Sequence, residues 1–331
     1  DSNLYFQWRK SRGSSEKFHG AVVDHDNSED NRVFKEVTRV GEALENIKAV
    51  KGSYKKAKVA IIYDWENNWA LNDAQGFSNA SKRYPQTLQE HYRYFWNHDI
   101  AVEVITSEAD FSKYELIIGP MMYLMTEDVM KRLSSYVKQG GTFVSTYITG
   151  YVNENDLTYL GGWPQPLREM FGIKVTETDT LYPKDRNAVH YADQSFEAKD
   201  YCSLFELEGA EVLGTYTEDF YAGKPAITRN KYGQGAAYLI GARTNLDFLE
   251  YFYGELTKNK GLENAWVIKG DPDVSVQSRD FENQSYRFVM NFSEETKEIQ
   301  VATACVDLLT RTTHPTTLTL APYEVLLLAE K

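Results

Sequence analysis

Residues 58–147 carry short, mostly apolar runs, the first of them continuous, separated by amphipathic stretches. The runs are Val59-Ala60-Ile61-Ile62-Tyr63, Ala101-Val102-Glu103-Val104-Ile105, Leu116-Ile117-Ile118-Gly119-Pro120 and Thr142-Phe143-Val144-Ser145-Thr146-Tyr147. Runs of this kind suit strands buried on both faces. Between them, residues 84–98 and 127–139 read as helices, and Gly140-Gly141 closes the second. Ala236-Ala237-Tyr238-Leu239-Ile240-Gly241 is a further strand, after a hairpin-like passage around Ile227-Thr228-Arg229-Asn230. Strands alternating with helices predict an α/β domain over residues 55–262 with a doubly wound, mainly parallel sheet.

The pattern differs on both sides of this domain. Asn3-Leu4-Tyr5-Phe6-Gln7-Trp8 reads as a buried strand running into a polar, glycine-bearing loop over residues 9–20. Val33, Val37, Val40, Leu44 and Ile47 then recur every three or four residues, an amphipathic helix with one apolar stripe. The polar cluster at residues 26–30 suits its capping, and Lys51-Gly52-Ser53 ends it. Residues 1–52 thus read as one strand, loop and helix of a β/α barrel. Gly161-Gly162-Trp163-Pro164-Gln165-Pro166 is rich in turn formers, and Leu167 to Phe171 reads as a short helix. From residue 263 on, apolar and polar positions largely alternate through 274–279, 285–292 and 297–301, with Asp307-Leu308-Leu309 and residues 324–328 completing the set. That predicts a small antiparallel β-sandwich over 263–331.

Charge narrows the partners. Lys plus Arg number 36 against 48 Asp plus Glu, a net charge of -12. This disfavours nucleic acid and anionic membrane surfaces. The 2 cysteines, Cys202 and Cys305, are far apart and carry no metal-ligand spacing, so neither a disulfide framework nor a zinc site is expected. No run approaches the ~20 apolar residues of a membrane helix, and a cytoplasmic location is the expectation. The first strand of the α/β domain runs into Asp64-Trp65-Glu66-Asn67, acidic and bulky where a nucleotide site needs glycines. No cofactor or metal is expected.

The candidate chemistry lies in the N-terminal loop, where Glu16 and His19 stand three residues apart. The stretch Tyr5-Phe6-Gln7-Trp8-Arg9-x-Ser11-Arg12-Gly13-x-x-Glu16-Lys17-Phe18-His19-Gly20 resembles the eighth barrel strand and following loop of the family 42 glycoside hydrolases, the β-galactosidases. The resemblance implies that Glu16 and His19 contact galactose, with Trp8 and Phe18 as pocket-wall candidates. It also implies that the acid/base and nucleophile glutamates lie on earlier barrel strands, so no catalytic residue is assigned in this chain. Asp64-Trp65-Glu66-Asn67-x-Trp69-Ala70, Gly119-Pro120-Met121-x-Tyr123, Gly140-Gly141-Thr142 and Asp156-Leu157-x-x-Leu160-Gly161-Gly162 resemble the family's trimerisation domain. Asn68 stands where the family pattern has Trp.

That domain is similar in fold to the class I glutamine amidotransferases, but the elbow Pro120-Met121-Met122-Tyr123 offers no cysteine or serine nucleophile. Asp64 and Glu66 invite an acid/base reading. A subunit interface carried by Trp65, Glu66 and Trp69 is the stronger expectation, since Trp is enriched at interfaces. Tyr286-x-Phe288-x-x-Asn291 and Leu320-Ala321-Pro322-Tyr323-Glu324-Val325 resemble the family's C-terminal domain. The expectation is the C-terminal portion of a retaining β-galactosidase, a homotrimer acting on terminal β-galactosides and inactive as this chain alone. The alternative is a stand-alone, non-catalytic oligomerisation or sugar-binding module.

Overall fold

A computed structural model describes residues 2–165 and 167–330; Asp1, Lys331 and Pro166, the end of the turn-rich passage, lie outside them. The chain forms two compact units, residues 56–264 and residues up to 55 together with those from 265.

In the 56–264 unit the elements follow the N-terminal helix α1 (Arg32–Asn46). They are β1 (Val59–Ile62), α2 (Trp65–Asp73), α3 (Tyr84–Asn97), β2 (Val102–Ile105), β3 (Leu116–Gly119), α4 (Glu127–Lys138), β4 (Thr142–Thr146), α5 (Arg168–Phe171), β5 (Ile173–Thr180), β6 (Asn187–Tyr191), β7 (Gln194–Leu207), β8 (Glu211–Tyr216), β9 (Pro225–Tyr232), β10 (Gly235–Ile240), β11 (Ala242–Thr244) and α6 (Leu246–Lys260). All of β1 is buried. Val59 and Ile61 join one core with residues of α3 and α6. Ala60 and Ile62 join the other with residues of α4 and α5. Successive strand side chains point to opposite faces, so a strand apolar at every position needs helices on both.

The sheet is 11-stranded, in the order β11-β7-β6-β8-β9-β10-β4-β3-β1-β2, with β5 on β7. The expected parallel layer is there: β2, β1, β3, β4 and β10 pair in parallel. The sheet as a whole is not mainly parallel, however. From β9 outward every pairing is antiparallel. The fold is thus mixed, because hairpin connections rather than helical crossovers join those strands.

Under the α3/α6 face His91 is 4% exposed, and its Nδ1 lies 2.6 Å from the Tyr253 hydroxyl. Burial, reinforced by the positive charge of Arg243, pushes its pKa down from 6.5 to about 3. The folded imidazole therefore stays neutral while the unfolded one binds a proton below its ordinary value. Stability from this group is complete above pH 6.5 and is lost as pH falls toward about 3. Wild type is expected to lose about 1.4 kcal/mol more per pH unit across that window than His91→Gln. Urea unfolding at a series of pH values reads the difference, and parallel curves would contradict it.

In the other unit, α1 forms where the apolar stripe predicts it. Its N-cap is Asn31, whose Oδ1 accepts from Phe34 N at 2.9 Å, one residue beyond the polar cluster expected to cap it. None of its residues is buried. Ile47 and Val50, just after it, pack with Tyr286, Leu308 and Leu327. The strand expected over residues 3–8 does not form. Leu4 and Phe6 are 91% and 73% exposed. A strand exists through its ladder, and here Arg9 alone makes a bridge, to Val23.

The remaining strands form two antiparallel sheets. One is β12 (Val267–Lys269), β15 (Lys297–Val301) and β18 (Thr317–Leu320); the other is β13 (Val274–Phe281), β14 (Gln284–Asn291), β19 (Val325–Glu330), β16 (Cys305–Asp307) and β17 (Thr313–His314). Val276, Val289, Ile299, Leu318, Leu326 and Leu328 fill the core. The strand expected over 307–309 ends at Asp307. Its carboxylate accepts from Leu309 N at 3.2 Å and Thr310 N at 3.1 Å, which turns the chain.

Candidate functional site

The loop bearing Glu16 and His19 is an excursion closed at its base. Val23 N donates to Trp8 O at 2.8 Å, and Lys10 N donates to Val23 O at 3.1 Å. Side chains add ties across this base. Lys10 Nζ donates to Asp24 Oδ2 at 2.6 Å, His25 Nε2 lies 2.9 Å from Ser11 O, and Arg9 pairs with Asn27. The residues between, 12–20, are all exposed. Glu16 and His19 share one turn, with His19 N donating to Glu16 O at 3.0 Å. Both side chains point to solvent, and among the described residues neither has a hydrogen-bond partner. Phe18 is 78% exposed and meets His25 edge-on at 6.4 Å; Trp8 is 62% exposed and meets Phe34 at 6.3 Å. The loop presents an acceptor, an imidazole and two rings without a wall facing them.

In the 56–264 unit the strand order reverses between β1 and β3. Open α/β sheets place their ligands at the carboxyl ends of strands at such a point. Here that crevice is filled. Asn67, fully buried, donates from Nδ2 to Met121 O at 3.0 Å and accepts from Leu124 N at 2.8 Å. Met121 occupies the elbow after β3 with φ 47° and is fully buried. Its amide donates to Thr146 Oγ1 at 2.8 Å. The turn after β3 thus carries a thioether packed inward and no nucleophile. Asp64 is the N-cap of α2, accepting from Glu66 N at 3.1 Å, and its other oxygen takes the Ser107 hydroxyl. Its carboxylate is used in holding the helix start, which accounts for the acid without acid/base chemistry.

What this end of the sheet exposes is aromatic. Trp65 and Trp69, one helical turn apart on α2, are 57% and 60% exposed with rings 6.3 Å apart. Tyr63 meets Trp65 edge-on at 5.1 Å, and Glu66 is exposed beside them. Paired exposed tryptophans mark a binding surface more often than an open one.

Behind the elbow lies a group that the sequence reading missed. Arg243, 2% exposed, pairs with Asp200 at 2.9 Å. It donates to Lys82 O at 2.7 Å, Thr87 Oγ1 at 3.0 Å, Tyr147 Oη at 2.7 Å and Ser81 O. Its position directly after an apolar strand was the available signal, since an arginine there must be paired.

Among the described residues no group of three or more His, Cys, Asp or Glu could hold a metal ion, and no helix is long and apolar enough to cross a membrane.

Comparison with known proteins gives these features a context. Family models match in order along the chain: β-galactosidase over residues 1–47, the β-galactosidase trimerisation domain over 57–263 and the β-galactosidase C-terminal domain over 273–330. The β-galactosidase GalA of Bacillus licheniformis is 55% identical over 98% of this chain and 48% of its own length. GanA of Bacillus subtilis is 54% identical over 98% of this chain and 48% of its own. Gan42B, a GH42 β-galactosidase from G. stearothermophilus, has a solved structure similar at a TM-score of 0.94, with 53% identity, 99% of this chain covered and 48% of that one. The chain spans about half the length of the curated relatives it matches. With matches of this extent and identity, the chain belongs to the family 42 β-galactosidases, whose C-terminal portion it matches.

Proposed function

We propose that this chain is the non-catalytic half of a retaining β-galactosidase. It supplies one loop of the sugar pocket through Glu16 and His19, and it supplies the surface on which the enzyme trimerises. The observation that carries the reading is the closed loop that holds an unpartnered carboxylate and an imidazole out to solvent. A carboxylate there accepts hydrogen bonds from sugar hydroxyls, the imidazole adds a donor or an acceptor, and Trp8 and Phe18 give rings on which an apolar sugar face stacks. The reaction itself needs a carboxylic acid and a carboxylate nucleophile about 5 Å apart. Those glutamates belong to the preceding barrel strands. A complete enzyme carrying this chain as its C-terminal half is expected to release galactose first as the β anomer, read by proton NMR within the first turnovers. Initial release of the α anomer would contradict a retaining mechanism.

The amidotransferase-like reading of the 56–264 fold goes with this proposal as architecture alone. The trimer contact is the Trp65, Glu66 and Trp69 face, continuous in aromatic surface with Tyr63. Trp65→Ala with Trp69→Ala is expected to shift the assembly from trimer to monomer on a sizing column with light scattering. Both side chains are more than half exposed in the single chain, so the variant monomer should keep its fold, read by circular dichroism. A trimer that persists in the double variant would exclude this face. The two free, buried cysteines suit a reducing, cytoplasmic location.

The second reading, a stand-alone, non-catalytic oligomerisation or sugar-binding module, is favoured by the same tryptophan face. Its mark would be a stable assembly that binds galactose weakly without hydrolysing anything.

A further inference from the structure

We propose that Lys10 and Asp24 are the positioning pair of the sugar-contacting loop, clamping its base so that Glu16 and His19 are held in one orientation. The inference rests on the reading of Glu16 and His19 as galactoside contacts.

Two backbone hydrogen bonds, Val23 N to Trp8 O and Lys10 N to Val23 O, close the loop base, and side chains orient what lies beyond it. Residues 12–20 are exposed, so no buried side chain within them anchors the tip to a core. Val22 and Val23 are buried and fix one end; Lys10 and Ser11, half-buried, form the other. Asp24 joins the two ends through one carboxylate oxygen, and its other oxygen is fixed by the neighbouring amide. Oδ2 accepts from Lys10 Nζ at 2.6 Å, and Oδ1 accepts from His25 N at 2.6 Å. The Lys10 ammonium, with the His25 amide, holds the Asp24 carboxyl below the ordinary carboxylate range, so it is ionised wherever the enzyme would work. The flanking side-chain ties, His25 Nε2 near Ser11 O at 2.9 Å, Gln7 Nε2 donating to Gly20 O at 3.4 Å and Arg9 donating to Asn27, are single hydrogen bonds and not ion pairs. An exposed ion pair contributes little to global stability. Its effect here is on direction: a small rotation at the base is amplified over the residues to Glu16.

Two readouts test this. In the chain as it stands, amide hydrogen exchange of Lys10 and Val23, the two amides bonded across the loop base, is expected to speed up about tenfold in Asp24→Asn and in Lys10→Met, with exchange of the C-terminal sandwich unchanged. In a complete enzyme carrying this chain, either variant is expected to raise KM for an aryl β-galactoside about tenfold, with kcat within a factor of about three. The double variant should be no worse than either single, because one contact is lost in all three. Lys10→Arg, which keeps the charge and a donor, should restore KM. A merely structural role would lower the melting temperature and would not split KM from kcat. If KM stays within a factor of two in both singles while Glu16→Ala is impaired, the clamp is wrong and the sugar-contact reading stands. If Glu16→Ala is itself unimpaired, the underlying reading is what fails.

Discussion

Arg243→Met should lower the unfolding free energy of the 56–264 unit by about 3–5 kcal/mol, the usual cost of removing one partner of a buried ion pair. Arg243 is 2% exposed and Asp200 15% on the side chain, so water cannot replace the lost guanidinium. Methionine fills part of the volume but donates nothing. It leaves Asp200 with only the more exposed Arg83, at 3.3 Å, and strips Ser81 O, Lys82 O and the Tyr147 hydroxyl of their donor. Tyr147 and Tyr201 also lose the cation over their rings, at 5.5 and 5.0 Å. The control is Lys131→Met. Its pair with Glu127 is 70% and 66% exposed, so less than about 1 kcal/mol is expected. Urea unfolding followed by circular dichroism measures both. A loss below about 1 kcal/mol for Arg243→Met would mean that the network is dispensable. The consequence reaches function: Arg243 ties the segment at residues 81–87 to the elbow, with Met121 Sδ 3.4 Å away, and the elbow in turn holds Asn67 and the tryptophan helix.

Glu16→Ala in the complete enzyme is expected to lower kcat/KM for an aryl β-galactoside at least about a hundredfold. A carboxylate that accepts from sugar hydroxyls in a desolvated pocket makes charge-assisted bonds worth about 1.5–3 kcal/mol each, and the hydroxyls left unpaired add to the loss. His19→Ala should cost less, about tenfold, because its hydrogen bond is neutral. Neither substitution should move the melting temperature, since both side chains are exposed without partners among the described residues. That separation of activity from stability distinguishes a substrate contact from a structural residue. A kcat/KM within a few-fold of wild type in Glu16→Ala would remove the sugar-contact assignment.

The two predictions also show which parts of the molecule could be read from the chain. The parallel layer was legible because a strand buried on both faces is apolar at every position, as β1 and β3 are. The antiparallel part was not. β7 carries Glu197, Lys199 and Asp200 within a 14-residue strand, and its partners β5 and β11 shift register against it, so no clean alternation survives in the sequence. The two-residue turn between β6 and β7 gave no signal either: Ala192 and Asp193, both at positive φ, stand where such turns favour Asn-Gly or Asp-Gly. The missing N-terminal strand has another cause. Its sequence suits a strand, but strand structure requires neighbours to hydrogen-bond with. Asp64 shows the reverse problem, where an acid at a strand's carboxyl end suggested chemistry and geometry gives a helix cap. Glu16 and His19 came from resemblance, not from pattern; an isolated pair in a polar loop carries no chemistry by spacing alone. Lys10 and Asp24 are 14 residues apart, and only the fold brings them together.

We propose that this half of the enzyme holds the substrate but cannot break the bond. The direct test is hydrolysis of a chromogenic aryl β-galactoside by the purified chain alone and by the complete enzyme that carries it. No turnover by the chain, with turnover in the complete enzyme that collapses in Glu16→Ala, is the result predicted. Turnover by the chain alone, free of any co-purifying barrel, would contradict the account and place a catalytic carboxylate within these residues.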